Sequence, residues 1–133
     1  MLILVGLFSR TPKNTDSKNN AKKFKEFKKL LQDKKYSEAL QSGLLLLEKL
    51  PYHHDSLFMV GSIYYLEKNY KTALSYLDRS LEIGEYDIDA LLLKAYSHQK
   101  LSENKYAISC CEKIQEIDPK NKSVSELLEQ LDL

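Results

Sequence analysis

The sequence predicts an all-α fold: a right-handed α-solenoid of three antiparallel helix pairs closed by a C-terminal capping helix. Three observations in the 133-residue chain carry this. The first is a 34-residue spacing. Ala39, Ala73 and Ala107 recur at that interval, as do Tyr36 and Tyr70, and Leu40, Leu74 and Ile108. A fixed period of this length is the mark of stacked repeats. The second is helical periodicity of apolar residues, as in Leu57, Val60, Gly61 and Tyr64, spaced i, i+3, i+4, i+7. The third is punctuation, since Pro51, Gly84 and Pro119 fall where every second helix would end.

The elements follow in order. Residues 1–8 are apolar and short, and residues 9–19 are rich in Ser, Thr, Asn and Lys with Pro12. They read as an apolar segment and a flexible linker, with no basic start of the kind a signal peptide has. Residues 20–121 hold the three helix pairs. The first helix, 20–33, uses Phe24, Phe27, Leu30 and Leu31 as its apolar face, and the second, 36–50, stops at Pro51. The second pair covers 55–67 and 69–84, with Asn69 as an N-cap. The third covers 87–101 and 104–117, with Asp87 as a cap. Residues 122–133 form the capping helix, with Val124, Leu127, Leu128 and Leu131 on one stripe and a capping box of Ser123 and Glu126.

Charge is uneven along a chain of formal net charge +1. Ten basic and three acidic residues lie between Arg10 and Lys35, and ten basic and sixteen acidic residues from Tyr36 onward. Lys18, Lys22, Lys25 and Lys29 share one helix side and read as a solvated outer face. With an acidic remainder and no nucleic-acid motif, neither nucleic acid nor a membrane is the expected partner. Cys110 and Cys111 are adjacent and point about 100° apart on a helix, which is unsuited to a mutual disulfide. Cys111 reads as core and Cys110 as incidental, in a reduced, cytoplasmic setting. Membrane tethering through the N-terminal segment stays open. His53, His54 and His98 have no second ligand at metal spacing. No glycine-rich loop, nucleophile motif or catalytic carboxylate pair can be assembled, so neither an enzyme nor a cofactor or metal is expected.

The residues at the repeated positions resemble the tetratricopeptide repeat family. Repeat two supplies Leu57, Val60, Gly61, Tyr64, Tyr70, Ala73 and Leu77. Repeat three supplies Leu91, Ala95, Ala107, Cys111 and Pro119. Repeat one supplies Phe27, Leu30, Tyr36, Ala39, Gly43 and Pro51. Repeat one departs, with Phe27 in the column of Gly61 and Ala95. Small residues at those columns suit close helix approach.

The resemblance implies that the first helices line a concave groove. By column this comprises Phe24, Lys28 and Leu31, then Asp55, Phe58, Met59, Ser62 and Tyr65, then Asp89, Leu92, Leu93, Tyr96 and Gln99. The family's carboxylate clamp would occupy Phe24, Lys28, Met59, Asp89 and Leu93. Only Lys28 is cationic there, and Asp89 repels a carboxylate, so capture of a chaperone tail is disfavoured. The leading expectation is a protein-interaction module that holds a peptide or helix with apolar anchors and some basic residues. The bland alternative is that the aromatics bury between helices and bind nothing.

A second expectation comes from Leu44 and Leu45. Their columns hold Asp78 and Arg79 in repeat two and Glu112 and Lys113 in repeat three, so they are expected to face water. This patch could take residues 1–8 of the same chain or of a second copy, giving a homodimer or a tether to a larger assembly.

Overall fold

The computed structural model describes the backbone of residues 2–131 and the side chains of residues 16–131. It contains seven helices and, among the described residues, no strand: α1 Leu2–Gln32, α2 Tyr36–Lys49, α3 His54–Leu66, α4 Tyr70–Ile83, α5 Ile88–Lys100, α6 Asn104–Ile117 and α7 Lys122–Leu131. The chain divides into two units, residues 1–51 and residues 52–133.

The first unit is the hairpin of α1 and α2. Phe27, Ala39, Gly43, Leu46 and Leu47 are buried in it. The run of four leucines splits as a helix must split it. Leu46 and Leu47 are buried, Leu44 is half-buried and Leu45 is 61% exposed. Of the two leucines expected to face water, Leu45 does so for most of its surface and Leu44 only in part.

The expected linker at 9–19 and the expected helix start at residue 20 are corrected. Here α1 is a single helix of 31 residues beginning at Leu2. Once a stripe such as Phe27 and Leu30 anchors a helix, each further residue adds one backbone hydrogen bond at little cost. Lys, Ser and Asn lose only a few tenths of a kcal/mol against Ala, roughly 0.7 at most, so a polar stretch without periodicity can continue a helix, and Pro12, which withholds one backbone donor, is its one costly residue at about 3 kcal/mol. The expected docking of residues 1–8 on Leu44 and Leu45, of the same chain or of a second copy, lies outside the described residues. The side chains of residues 1–15 lie outside the described residues.

In the second unit α3 packs on α4, α4 on α5, α5 on α6 and α6 on α7. The alternate helices α3, α5 and α7 also touch in sequence and form one row. Leu57, Val60, Ile63, Ala73 and Leu77 are fully buried in the first pair of this unit. Leu91, Ala95, Ala107, Cys110, Cys111, Ile114, Val124, Leu127 and Leu131 form a continuous cluster through the rest. Three serines are buried, and each is satisfied. Ser56 shares a 2.7 Å bond with His53 Nδ1, Ser80 donates to the His54 carbonyl, and Ser97 donates to the Leu93 carbonyl.

The turn within each pair has one geometry, repeated every 34 residues. Lys34, Lys68 and Ser102 all take positive φ, at 58°, 64° and 60°. At each, two amides reach back to the preceding helix: Lys34 to Leu31 and Lys35 to Leu30, Lys68 to Tyr65 and Asn69 to Tyr64, Ser102 to Gln99 and Glu103 to His98. This is a Schellman ending made without glycine. Gly84, by contrast, sits at φ −121°, which any residue can adopt. Its role is close approach, since a Cβ there would lie 2.7 Å from His54 Nε2.

Asn69 and Asp87 cap α4 and α5 as expected, accepting from the amides of Thr72 and Ala90. His53 caps α3, with its Nδ1 accepting from the Ser56 amide. The expected capping box of Ser123 and Glu126 is corrected. Asn121 caps α7, its Oδ1 taking the Val124 amide at 3.1 Å. Asn reaches the amide three residues on as well as Ser does, and here it stands just before the helix.

Gly61 is where α3 and α4 meet most closely. An added Cβ would lie 3.1 Å from Leu77 Cγ and 3.2 Å from Leu77 Cδ2. Leu77 is fully buried and has nowhere to move. Gly61→Val should therefore destabilise by about 1–3 kcal/mol despite its better helix propensity. Urea unfolding checks this, and an unchanged midpoint would contradict the close packing.

Candidate peptide groove

Two helical stripes meet in the second unit. On α3 the stripe is Phe58, Ser62, Tyr65 and Leu66, and on α5 it is Asp89, Leu92, Leu93 and Tyr96. Both follow i, i+3 or i+4, i+7 or i+8 spacing, which puts each set on one helix face. Because α3 and α5 are neighbours in the row, these faces combine into an open cleft of about 370 Å³. The eight residues just named line it. None of them is a lysine or arginine.

The side chains are held in place. Tyr65 meets Tyr70 edge to face at 5.4 Å between ring centroids. Burial pushes its phenol above the usual tyrosine range, with the phenols of Tyr70 and Tyr96 adding to the effect. The hydroxyl of Ser62 donates to the Phe58 carbonyl at 2.9 Å, so it offers no free donor to a ligand. Leu92 and Tyr96 rest on the buried cluster behind them. Leu66 stands at the far end of α3, 52% exposed. Asp89, in the first turn of α5, is the exposed charge at the opposite end of the cleft.

Of the residues read from sequence, Phe58, Ser62, Tyr65, Asp89, Leu92, Leu93 and Tyr96 come together. Leu66 was missed, although it lies four residues beyond Ser62 on the same stripe. Asp55 is exposed one turn before Phe58 and points its carboxylate at His54 Nδ1, 3.3 Å away. Met59 is half-buried and does not line the cleft. Gln99 is engaged elsewhere, donating to Gln130 Oε1 of α7 at 2.9 Å. Phe24 and Lys28 belong to the first unit, where the Lys28 ammonium lies 5.3 Å over the Phe24 ring.

The other candidate chemistry dissolves into packing. Lys18, Lys22, Lys25 and Lys29 are all exposed on α1. His98 stacks on Tyr106 and contacts Glu103 Oε1 through Nδ1 at 3.1 Å. Tyr64 stacks on Tyr76 at 5.5 Å. Cys111 is core as expected, but Cys110 is not incidental, being 7% exposed in the same cluster. Adjacent helical positions share a core when one helix is covered on two sides, as α6 is by α5 and α7. Desolvation raises both thiols, Cys111 to about 11, which leaves no thiolate for nucleophilic work near neutrality. Among the described residues no cluster of His, Cys, Asp or Glu could hold a metal ion. Among the described residues no helix is long and apolar enough to cross a membrane.

A family model described as anaphase-promoting complex, cyclosome, subunit 3, built of tetratricopeptide-type repeats, matches residues 32–114. That is more than half of the chain. The chain belongs to this tetratricopeptide repeat family.

Solved structures agree on the fold. The first tetratricopeptide domain of Spaghetti (RPAP3), bound to the HSP90 peptide SRMEEVD, superposes with a TM-score of 0.81 at 18% identity, covering 87% of this chain and 92% of that one. The Arabidopsis OM64 domain gives 0.79 at 11% identity, covering 86% and 94%. The Sgt2 domain from Aspergillus fumigatus gives 0.74 at 16% identity, covering 86% and 77%. At such identities the likeness is one of fold. It supports an all-α tetratricopeptide solenoid of about three repeats. No match is found among curated proteins.

Proposed function

We propose that the chain is a protein-interaction module whose α3–α5 cleft holds an apolar peptide or helix with a basic end. The observation that carries this reading is the lining itself. Phe58, Tyr65, Leu66, Leu92, Leu93 and Tyr96 supply an apolar, aromatic wall, and the charge at its rim is the carboxylate of Asp89. Aromatic and aliphatic anchors with a polar rim are what a peptide site consists of. Asp55 repeats the charge of Asp89 one unit earlier on α3. A cationic side chain beside these carboxylates gains Coulomb energy, and an anionic one is repelled.

This separates the chain from its structural neighbours in ligand preference. The peptide on the Spaghetti domain, SRMEEVD, is acidic at its C-terminal end. Where a carboxylate would have to sit in this cleft stand Asp89 and Leu93. The favoured occupant therefore has its cations toward the N-terminal ends of α3 and α5 and its apolar anchors toward Tyr65 and Tyr96.

Tyr65 and Tyr96 are half-buried, so truncating them also loosens the wall. Leu66 and Asp89 are the cleaner probes, both being exposed. Leu66→Gln with Asp89→Lys should weaken binding of a basic, apolar peptide by roughly thirtyfold or more, equivalent to about 2 kcal/mol. The helical circular dichroism should stay unchanged. Fluorescence anisotropy of a labelled peptide reads the first and far-ultraviolet spectra the second. Full-strength binding by the double variant would exclude this cleft as the site.

A further inference from the structure

Within the first unit α2 is far shorter than α1. Helix α1 has 31 residues and α2 has 14, so at ~1.5 Å per residue they run about 46 Å and 21 Å. They meet at the turn of residues 33–35, so α2 spans only the C-terminal half of α1. The far end carries Leu2, Ile3, Leu4, Val5, Gly6, Leu7 and Phe8 in succession. A helix that is apolar on every side requires burial. Arg10 and Lys13 follow it, and the first acidic residue of the chain is Asp16.

We propose that this segment, residues 2–13, docks in the α3–α5 cleft of a second copy of the chain. The inference rests on the groove reading above and names its occupant. The match is one of chemistry and length. Residues 2–8 rise about 10 Å as a helix, and so does the stretch of α5 from Asp89 to Tyr96. The apolar part of one fits the apolar part of the other. Arg10 and Lys13 then fall beside Asp89, the end where the cleft is acidic. This fixes the direction: Leu2 lies toward Tyr96 and Leu66, Arg10 toward Asp89, and the segment runs antiparallel to α5. Each copy donates one segment and offers one cleft, so two copies can exchange segments reciprocally as a two-fold pair, and one-way donation gives a ring or an open chain.

Light scattering of the full chain over a wide concentration range is the first test. The weight-average mass should rise with concentration. Deleting residues 2–8, or changing Asp89→Arg, should hold it at one chain. A charge swap guards against misfolding: the Asp89→Arg chain should regain association when mixed with a chain carrying Arg10→Glu and Lys13→Glu. A mass independent of concentration overturns the proposal, as does association that survives loss of residues 2–8. So does a segment that drives binding to anionic phospholipid vesicles while the Asp89→Arg change leaves self-association untouched. The groove reading is separated by two labelled peptides added to the shortened chain, residues 1–15 of this sequence and an unrelated basic, apolar peptide. Binding of the second alone defeats only the self-docking, and binding of neither defeats both.

Discussion

Removing residues 122–133, and α7 with them, should abolish cooperative unfolding of the second unit or lower its Tm by more than about 20 °C. Val124, Leu127 and Leu131 are 0%, 1% and 8% exposed, and they close the cluster formed by Ala95, Ala107, Cys111 and Ile114. Burying a large apolar side chain stabilises by ~1.5–3 kcal/mol, so these three contribute roughly 5–9 kcal/mol. That equals much of a domain's total stability of about 5–15 kcal/mol. The lost helix also leaves Cys110 and Cys111 accessible, so their alkylation should quicken in the truncated chain. Differential scanning calorimetry gives the decisive reading. A sharp transition at the original temperature would mean that α6 does not depend on α7 for its cover.

The second large effect belongs to Phe27→Ala. Phe27 is fully buried on α1, in the column where the later repeats place Gly61 and Ala95. It is the one aromatic side chain fully buried among the described residues. Truncation to Ala removes most of a ring from a hairpin that has no third helix inside its own unit. The expected loss is about 3–5 kcal/mol. Denaturant unfolding followed by hydrogen exchange in α1 and α2 would show it. A loss under about 1 kcal/mol would place the anchor of the first unit elsewhere.

The fold was legible because a 34-residue period survives in residues that pack: Ala39, Ala73 and Ala107 are all fully buried. The Asn69 and Asp87 caps were legible because a short acceptor stood directly before a periodic stretch. What hid was structure without a compositional mark. The left-handed turns at Lys34, Lys68 and Ser102 carry no glycine, and only their recurrence at the repeat interval betrays them. Residues 9–19 lack an apolar stripe, yet such a stretch can still continue a helix that is anchored further along. Ser123 and Asn121 both carry a capping oxygen, and Asn121 takes the role because it stands directly before the first residue of α7.

The cleft was half legible for a similar reason. Column transfer found Phe58, Tyr65, Leu92 and Tyr96, since these face one side by spacing alone. It could not see that Gln99 would bond to Gln130, because that depends on where α7 lands. It placed Met59 on the groove although the helix turns it about 100° from Phe58. Leu66 escaped because the stripe was cut at Tyr65, one residue short.

On the reading proposed above, the partner occupies the α3–α5 cleft. The most direct measurement is a side-chain chemical-shift map during titration with a basic, apolar peptide, read on the methyl and aromatic signals of the second unit. The cleft residues Phe58, Tyr65, Leu66, Leu92 and Tyr96 should shift together and saturate at one peptide per chain. Shifts confined to Tyr106, Ile83 and Tyr86, exposed apolar residues outside the cleft, with the cleft silent, would contradict it.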